Sequence, residues 1–370
     1  MQFIDLKTQH QRLQKNIDQA VKQVFDHGRF IMGPEIQELE EKLADYAGSR
    51  HCICCSSGTD ALLMPLMAAG IGPGDAVFTT PFTFFATPEV VALVGATPVF
   101  ADIQPDSYNL NPTALEEAIE KTIKQTDLTP RAVIAVDLFG LCAEYDALNH
   151  LAQRYDLLLI EDAAQAFGAV YKGRRAPALA PVGTTSFFPA KPLGCYGDGG
   201  AVFTNDDDTA GELRSIRVHG QGKDRYDNRR IGLNARMDTL QAAILLQKLQ
   251  VYDDEISRRQ QVAERYLQGL QGKVDKLPSI PPDCQSVFAQ FCVESDKRSD
   301  MQRALKENDI PTAIYYLKPM HLLEAFSSLG GQPGDFPVAE TASKKIFALP
   351  FHPYLTYDEI DRVCEVIGNV

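Results

Sequence analysis

Lys191 lies in the stretch SFFPAKPLGCYGDGG, residues 186–200, between Pro189 and Pro192. The aromatic pair Phe187–Phe188 precedes it, and Gly194, Gly197, Gly199 and Gly200 follow. A lysine fixed between rigid residues and close to apolar side chains suits Schiff-base chemistry. Partial desolvation lowers the amine pKa and yields a neutral nucleophile. On these residues alone the plainer reading, a loop lysine in solvent, is the stronger one. Three stretches upstream reverse it.

The first is SSGTDAL at 56–62, where Ser57, Gly58 and Thr59 precede a helical pattern. Glycine lets the backbone approach a ligand, and a helix N-terminus offers unpaired N–H groups to an anion such as phosphate. Ordinary N-capping would use the same residue types. The second is PFTFFAT at 81–87, aromatic where a loop is usually polar, in which Phe84 could stack on a flat ring or be a core residue. The third is EDAAQAFGA at 161–169, where Asp162 closes the apolar strand LLLI. A half-buried carboxylate calls for a cationic partner, and a protonated pyridine nitrogen is one; a helix N-cap is the alternative. Together, a phosphate site, an aromatic, a strand-end aspartate and a lysine are the parts that pyridoxal phosphate needs.

The elements that would position these residues follow from periodicity. Apolar positions at Leu13, Ile17, Val21, Val24 and Phe25 predict a helix over 9–27, and Pro34 and Gly48 bracket another over 34–47. Short apolar runs (HCICC, AVFTT, PVFAD, RAVIAV, LLLIED) then alternate with helical segments, among them Tyr145–Arg154 and Thr113–Glu120. A further strand is expected over Gly183–Phe188. This alternation predicts an α/β fold with a mainly parallel sheet covered on both faces, with ligands beyond the carboxyl ends of the strands. From about residue 205 helices dominate to about 272; the helical stretch 237–270 reads as a bridge and the proline-rich 277–286 as a connection. VFAQFCV, Met301–Asn308 and Tyr357–Ile367 suggest a smaller α+β part. The expected division is 1–250, a large cofactor-binding domain with its N-terminal helix, and 251–370, a small C-terminal domain including the bridging helix.

A net charge of -13 argues against non-specific nucleic-acid or anionic-membrane binding. No apolar run approaches a membrane span and the start lacks a signal-peptide core, so the expected location is cytoplasmic. The eight cysteines are then expected to be free thiols. Cys52, Cys54 and Cys55 beside His51 could be imagined as a zinc site, but no second cluster has ligand spacing; small buried strand residues are the better reading and no metal is expected.

The chain resembles the DegT/DnrJ/EryC1/StrS sugar aminotransferases, of the aspartate-aminotransferase fold type I. The resemblance rests on FIDLKTQ, GPEIQELE, SSGTDAL, EDAAQAFGA, SFFPAKPLGCYGDGGAVFTN, IGLNARMDTLQAAIL and LPFHPYL, which run through nearly the whole chain. It implies that Lys191 carries pyridoxal 5'-phosphate as a Schiff base and shuttles the proton, and that Asp162 pairs with the pyridinium nitrogen. It further implies that Gln165 lies against the ring or its 3-hydroxyl and that Phe84 stacks on one face. Gly58, Thr59 and Ser186 would hold the phosphate, with Asn234 reaching it from the neighbouring subunit of a homodimer. Members that become sugar dehydratases replace the lysine with histidine; this chain keeps it, which favours transamination through pyridoxamine 5'-phosphate.

Within the family the resemblance points to UDP-linked 3-keto sugars, and most closely to UDP-2-acetamido-2-deoxy-3-oxo-D-glucuronate with L-glutamate as donor, for lipopolysaccharide O-antigen sugars. Arg236 is the candidate for the uronate carboxylate, since arginine pairs with it in a bidentate fork. RVHGQGKDRYDNRR at 217–230 supplies more positive charge, or is simply a solvated loop. The related enzymes typically place a histidine–tyrosine pair where this chain has Tyr315 and Tyr316, with Lys318 and His321 nearby. Tyrosine hydrogen-bonds a sugar but carries no charge near neutral pH. The competing readings are amination of C4 in a 6-deoxy sugar nucleotide, a non-catalytic regulatory protein on the same fold, and a nucleotide-binding domain without pyridoxal phosphate. The last lacks support, because no G-x-G-x-x-G follows the first strand.

Overall fold

The structure is a computed structural model that describes residues 1–224 and 226–370. Arg225, part of the positively charged stretch 217–230, lies outside the described residues. The chain opens with helices α1 (Leu6–His27) and α2 (Pro34–Ala47). Asp5 caps α1 by accepting from the Thr8 amide at 2.9 Å. Pro34 starts α2, and Gly48, at φ 74°, closes it in the left-handed conformation that glycine adopts at no steric cost.

Strands and helices then alternate: β1 (His51–Cys55), α3 (Gly58–Ala68), β2 (Asp75–Thr79), α4 (Ala86–Leu93), β3 (Thr97–Phe100), α5 (Pro112–Gln125), β4 (Thr129–Val136), α6 (Tyr145–Arg154) and β5 (Leu158–Asp162). Two short strands, β6 (Val170–Tyr171) and β7 (Arg174–Arg175), precede β8 (Val182–Ser186), β9 (Gly200–Thr204) and α7 (Asp207–Ile216). The seven-stranded sheet has the order β1-β9-β8-β5-β4-β2-β3. Neighbours from β3 to β8 pair in parallel, while β9 runs antiparallel between β1 and β8. The α/β fold with a mainly parallel sheet is as expected, apart from this one reversed strand.

Alternate residues of each strand face opposite layers. Cys52, Cys54, Ala76 and Phe78 pack with α2, α5, α6 and α8 (Thr239–Leu249), whereas Ile53, Cys55 and Val77 pack with α3, α4 and α7. The three crowded cysteines are therefore buried strand residues, and His51 pairs with Asp207 at 2.7 Å instead of joining them.

After α7 the chain departs from the expected helical run: residues 217–224 and 226–238 are irregular. Helix α8 stops at Leu249, and α9 (Tyr252–Gly269) follows. Tyr252 of α9 packs in the core of the large sheet, while Val262 and Tyr266 pack under the two-stranded sheet of β11 (Phe291–Glu294) and β12 (Ile346–Leu349). Between α9 and β11, the expected connection contains β10 (Cys284–Gln285), which pairs with β6 in a small three-stranded sheet. Helices α10 (Arg298–Glu307), α11 (Pro337–Lys345) and α12 (Tyr357–Gly368) complete the chain. Among the described residues no helix is long and apolar enough to cross a membrane.

Candidate active site

The carboxyl ends of β1, β5 and β8 open on one cleft of about 430 Å³. Its lining includes Gly58, Thr59, Phe84, Asp162, Gln165 and Ser186. Lys191, Tyr315 and Tyr316 line the same cleft. Residues more than a hundred positions apart are thus brought together by the crossover topology.

Asp162 is the last residue of β5 and is 4% exposed. Its Oδ2 accepts from the Thr87 hydroxyl at 2.9 Å and its Oδ1 from the Ala164 amide at 3.2 Å. Burial raises its pKa, opposed by Thr87, Ala164 and the charge of Lys191. Asp162 has no ion-pair partner among the described residues, so the cation that a buried carboxylate calls for is still wanting. A pyridinium nitrogen would supply it.

Lys191 sits in the loop between β8 and β9, and its amide donates to Phe188 O at 2.8 Å. The loop is closed by Phe187 N–H to Gly199 O and Cys195 N–H to Phe187 O, both 2.8 Å. Its Nζ has no hydrogen-bond or ion-pair partner among the described residues. Burial lowers its pKa, and Asp162 acts the other way. A lysine held in a cleft, unpaired and biased toward the neutral amine, is set up as a nucleophile.

Ser57 caps α3 by accepting from Asp60 N at 3.0 Å. The amides of Gly58 and Thr59 remain unpaired among the described residues and open on the cleft, where the helix end favours an anion. A Cβ on Gly58 would stand 2.6 Å from Ser186 Cβ, so only glycine lets the start of α3 approach the end of β8 this closely. On the cleft wall Phe84 is 58% exposed, a ring with a bare face. The Gln165 amide is held at both ends: Oε1 accepts from Phe139 N at 2.8 Å, and Nε2 donates to Tyr316 OH at 3.1 Å. One Nε2 hydrogen is left over. An anion cradle, a bare aromatic face, an unpaired buried carboxylate and an unpaired lysine fit pyridoxal phosphate.

Three residues singled out in the sequence are not in this cleft. Asn234 and Arg236 flank Ala235, whose carbonyl accepts from Ser56 N at 3.0 Å. The segment thus packs beside the anion loop, but its neighbouring side chains point elsewhere, and Arg236 Nε donates to Asn234 Oδ1 at 2.9 Å. His321 is 3% exposed, its Nε2 lies 3.2 Å from Glu340 Oε1, and its ring packs on Phe336. It packs as a core histidine outside the lining of the cleft. In the stretch 217–230, Arg217 is likewise structural, buried with its guanidinium on Glu40 and on Cys54 O at 2.8 Å.

Sequence reasoning passed over Thr87, Asp198 and Gln290, which also line the cleft. Thr87 lay inside a stretch read for its aromatics. Gln290 comes from the C-terminal part, and nothing local in the sequence marks it; its Oε1 is buried without a partner.

The DegT/DnrJ/EryC1/StrS aminotransferase family model matches residues 11–368. The chain is 47% identical over 371 residues to the UDP-2-acetamido-2-deoxy-3-oxo-D-glucuronate aminotransferase of Pseudomonas aeruginosa, covering 100% of both. It superposes with a TM-score of 0.98 on the crystal structure of a DegT DnrJ EryC1 StrS aminotransferase from Brucella abortus, at 50% identity over 100% of this chain and 99% of that one. NtdA from Bacillus subtilis, solved with bound cofactor PMP, matches with a TM-score of 0.89 at 28% identity over 99% of this chain and 82% of that one. The chain belongs to the DegT/DnrJ/EryC1/StrS aminotransferase family: it is a pyridoxal phosphate-dependent aminotransferase of fold type I.

Proposed function

We propose that this member of the family moves the amino group of L-glutamate to the 3-keto carbon of UDP-2-acetamido-2-deoxy-3-oxo-D-glucuronate. The observation that carries the reading is full-length similarity to the Pseudomonas aeruginosa enzyme of that name, together with an unpaired lysine and a buried aspartate in one cleft. Bound pyridoxal phosphate supplies the electron sink that lets a C–H bond beside nitrogen ionise, and it stores the amino group between half-reactions.

The chain's own residues do the rest. Lys191 would hold the cofactor, and its Nζ is placed to take a proton from the substrate carbon and return it. Burial lowers the lysine pKa, which favours the neutral base. Asp162 would pair with the ring nitrogen, its carboxylate fixed by Thr87 and Ala164. Gly58, Thr59 and Ser186 would hold the phosphate, Phe84 would cover the ring, and Gln165 has a spare Nε2 hydrogen for its hydroxyl. Tyr315 and Tyr316 close the sugar side.

The finer assignments belong to the same proposal. The working unit is a homodimer in which Asn234 and Arg236 complete the partner's cleft; the place of exposed Asn234 and half-buried Arg236 outside their own cleft, beside the Ser56–Gly58 turn, supports this. The reaction takes place in the cytoplasm and feeds lipopolysaccharide O-antigen sugars. The division into 1–250 and 251–370 is supported by the break between α8 and α9. The test is incubation of the purified protein with glutamate and the 3-keto uronate, or with a 4-keto-6-deoxy sugar nucleotide, and identification of the aminated carbon. Amination of the second substrate alone overturns the assignment.

A further inference from the structure

Directly behind Asp162, where β4 and β5 pair Ala135 with Glu161 and Val136 with Asp162, two further carboxyl groups are buried. Asp137 and Glu161 are both 0% exposed. Each uses one oxygen fully. Asp137 Oδ1 accepts from Ala143 N at 2.8 Å and Tyr145 OH at 2.9 Å. Glu161 Oε2 accepts from Leu179 N at 2.7 Å and Ala180 N at 3.3 Å. The remaining oxygens, Asp137 Oδ2 and Glu161 Oε1, are buried with no donor among the described residues. Asp137 stands two residues past Ala135, the register partner of Glu161, so the two side chains leave neighbouring strands on the same face.

Two ionised carboxylates cannot stand facing each other in a dry interior, and neither has an ion-pair partner among the described residues. The titratable groups around them are Tyr145, Cys142, Cys284 and the Asp162 carboxyl, none of which is cationic. We infer that Asp137 and Glu161 share one proton, one acting as the O–H donor to the other's carboxylate, and that this pair is a positioning device for the cleft. Asp137 clamps the turn 138–143 through Ala143 and Tyr145, and the Phe139 amide of that turn holds Gln165 Oε1. Glu161 clamps the 179–180 turn that leads into β8. With a single shared proton, the region behind Asp162 carries one negative charge, not two. The inference goes beyond the reaction proposed above, since it holds whatever sugar is bound.

The sign of the linkage follows. Burial pushes both carboxyl groups up, Asp137 to about 7 and Glu161 well above the usual carboxylate range. The folded protein therefore binds a proton that the unfolded chain has released above about pH 4, so stability falls as pH rises through neutrality. The test is thermal unfolding of the holoenzyme from about pH 5 to about pH 9. Asp137→Asn keeps the acceptor for Ala143 and Tyr145 and places an N–H donor opposite Glu161, so it needs no proton; Glu161→Gln does the same from the other side. Each variant is expected to lose at least about half of the wild-type fall in Tm across that range. Amide-exchange protection of residues 138–143, corrected for intrinsic rates, should decline with pH in the wild type and hold in Asp137→Asn. A wild-type slope in both variants, or failure of both to fold, overturns the shared proton. Unchanged protection at 138–143 in the wild type overturns its positioning role.

Discussion

The floor of the cleft and the segment that carries Asn234 and Arg236 both abut the Ser56–Gly58 region, the first by the close approach of Gly58 to Ser186 and the second by Ser56 N–H to Ala235 O, yet they differ in what one chain completes. On the floor, Lys191, Asp162, Gln165 and the Gly58–Thr59 amides already face one another. The segment 217–236 is anchored by Ala235 O to Ser56 N and by the bridge from Val218 to Asn234, but it leaves Asn234 and Arg236 outside the cleft. The residues proposed to carry the amino transfer thus line one cleft within a single protomer, with Tyr315 and Tyr316 beside them. Asn234, proposed for the phosphate, and Arg236, proposed for the uronate carboxylate, are held on the same scaffold outside it.

The strongest way to break this comparison is at the floor. Lys191→Ala should lower turnover by at least ~10⁴-fold, because it removes both the attachment point and the proton carrier. Single-turnover conversion of glutamate to 2-oxoglutarate is the measurement, and retained conversion would show that the cleft works without its lysine.

A smaller effect is expected at the segment. Arg236→Ala should raise KM for a uronate-bearing substrate by roughly 10- to 100-fold and leave the glutamate half-reaction within a few-fold, since a truncated charge pair costs binding and not proton transfer. Mixing Lys191→Ala and Arg236→Ala chains sharpens the point. If Arg236 serves the partner's cleft, mixed dimers contain a cleft with both residues intact, and a low-KM component returns. If it serves its own cleft, none does.

The contrast also marks what was legible in the sequence. The strand-end residues could be found because each sits directly after an apolar run, and the topology rule then places all of them at one edge. Helix bounds such as Pro34–Ala47 and Tyr145–Arg154 matched the periodic signal. The reversal of β9 was not legible, because a buried strand reads as apolar in either direction. Nor was the irregular course of 226–238, whose apolar positions Leu233 and Ala235 pair with Ile216, His219, Arg217 and Ser56 in place of helical partners. The packing of His321 was hidden for a related reason. A histidine beside two tyrosines has the composition of a sugar site, and only the fold reveals that Glu340 and Phe336 enclose it.

His321 gives the next test in order of size. Glu340 Oε1 also accepts from Gly334 N at 2.7 Å, so His321→Ala removes one of several partners of that carboxylate. The expected cost is about 1–3 kcal/mol of stability, read by denaturant unfolding, with KM for both substrates unchanged. A selective rise in the sugar KM would return His321 to the substrate site and blur the line between floor and shell.

The finest test sets Lys191 against the second buried lysine, Lys248. Burial lowers both, Lys248 to about 8, so desolvation alone does not distinguish a reactive lysine from a structural one. Their partners do. Lys248 is 1% exposed, its Nζ donates to Gly194 O at 2.6 Å, and it lies 4.1 Å from the centre of the Tyr196 ring. It is tied to the loop that carries Lys191 and is not among the residues lining the cleft. A lysine with a folded pKa below the unfolded value of about 10.4 sheds its proton earlier in the folded state, so stability gains as pH climbs from about 8 toward 10 and is lost on the way back down. Lys248→Met should flatten that part of the Tm profile. Because Gly194 O loses its donor, the loop loosens, and kcat should drop by only a few-fold. Loss of turnover on the scale of Lys191→Ala would mean that Lys248 holds the reactive geometry itself, and the separation between a self-contained floor and its supports would fail at that residue.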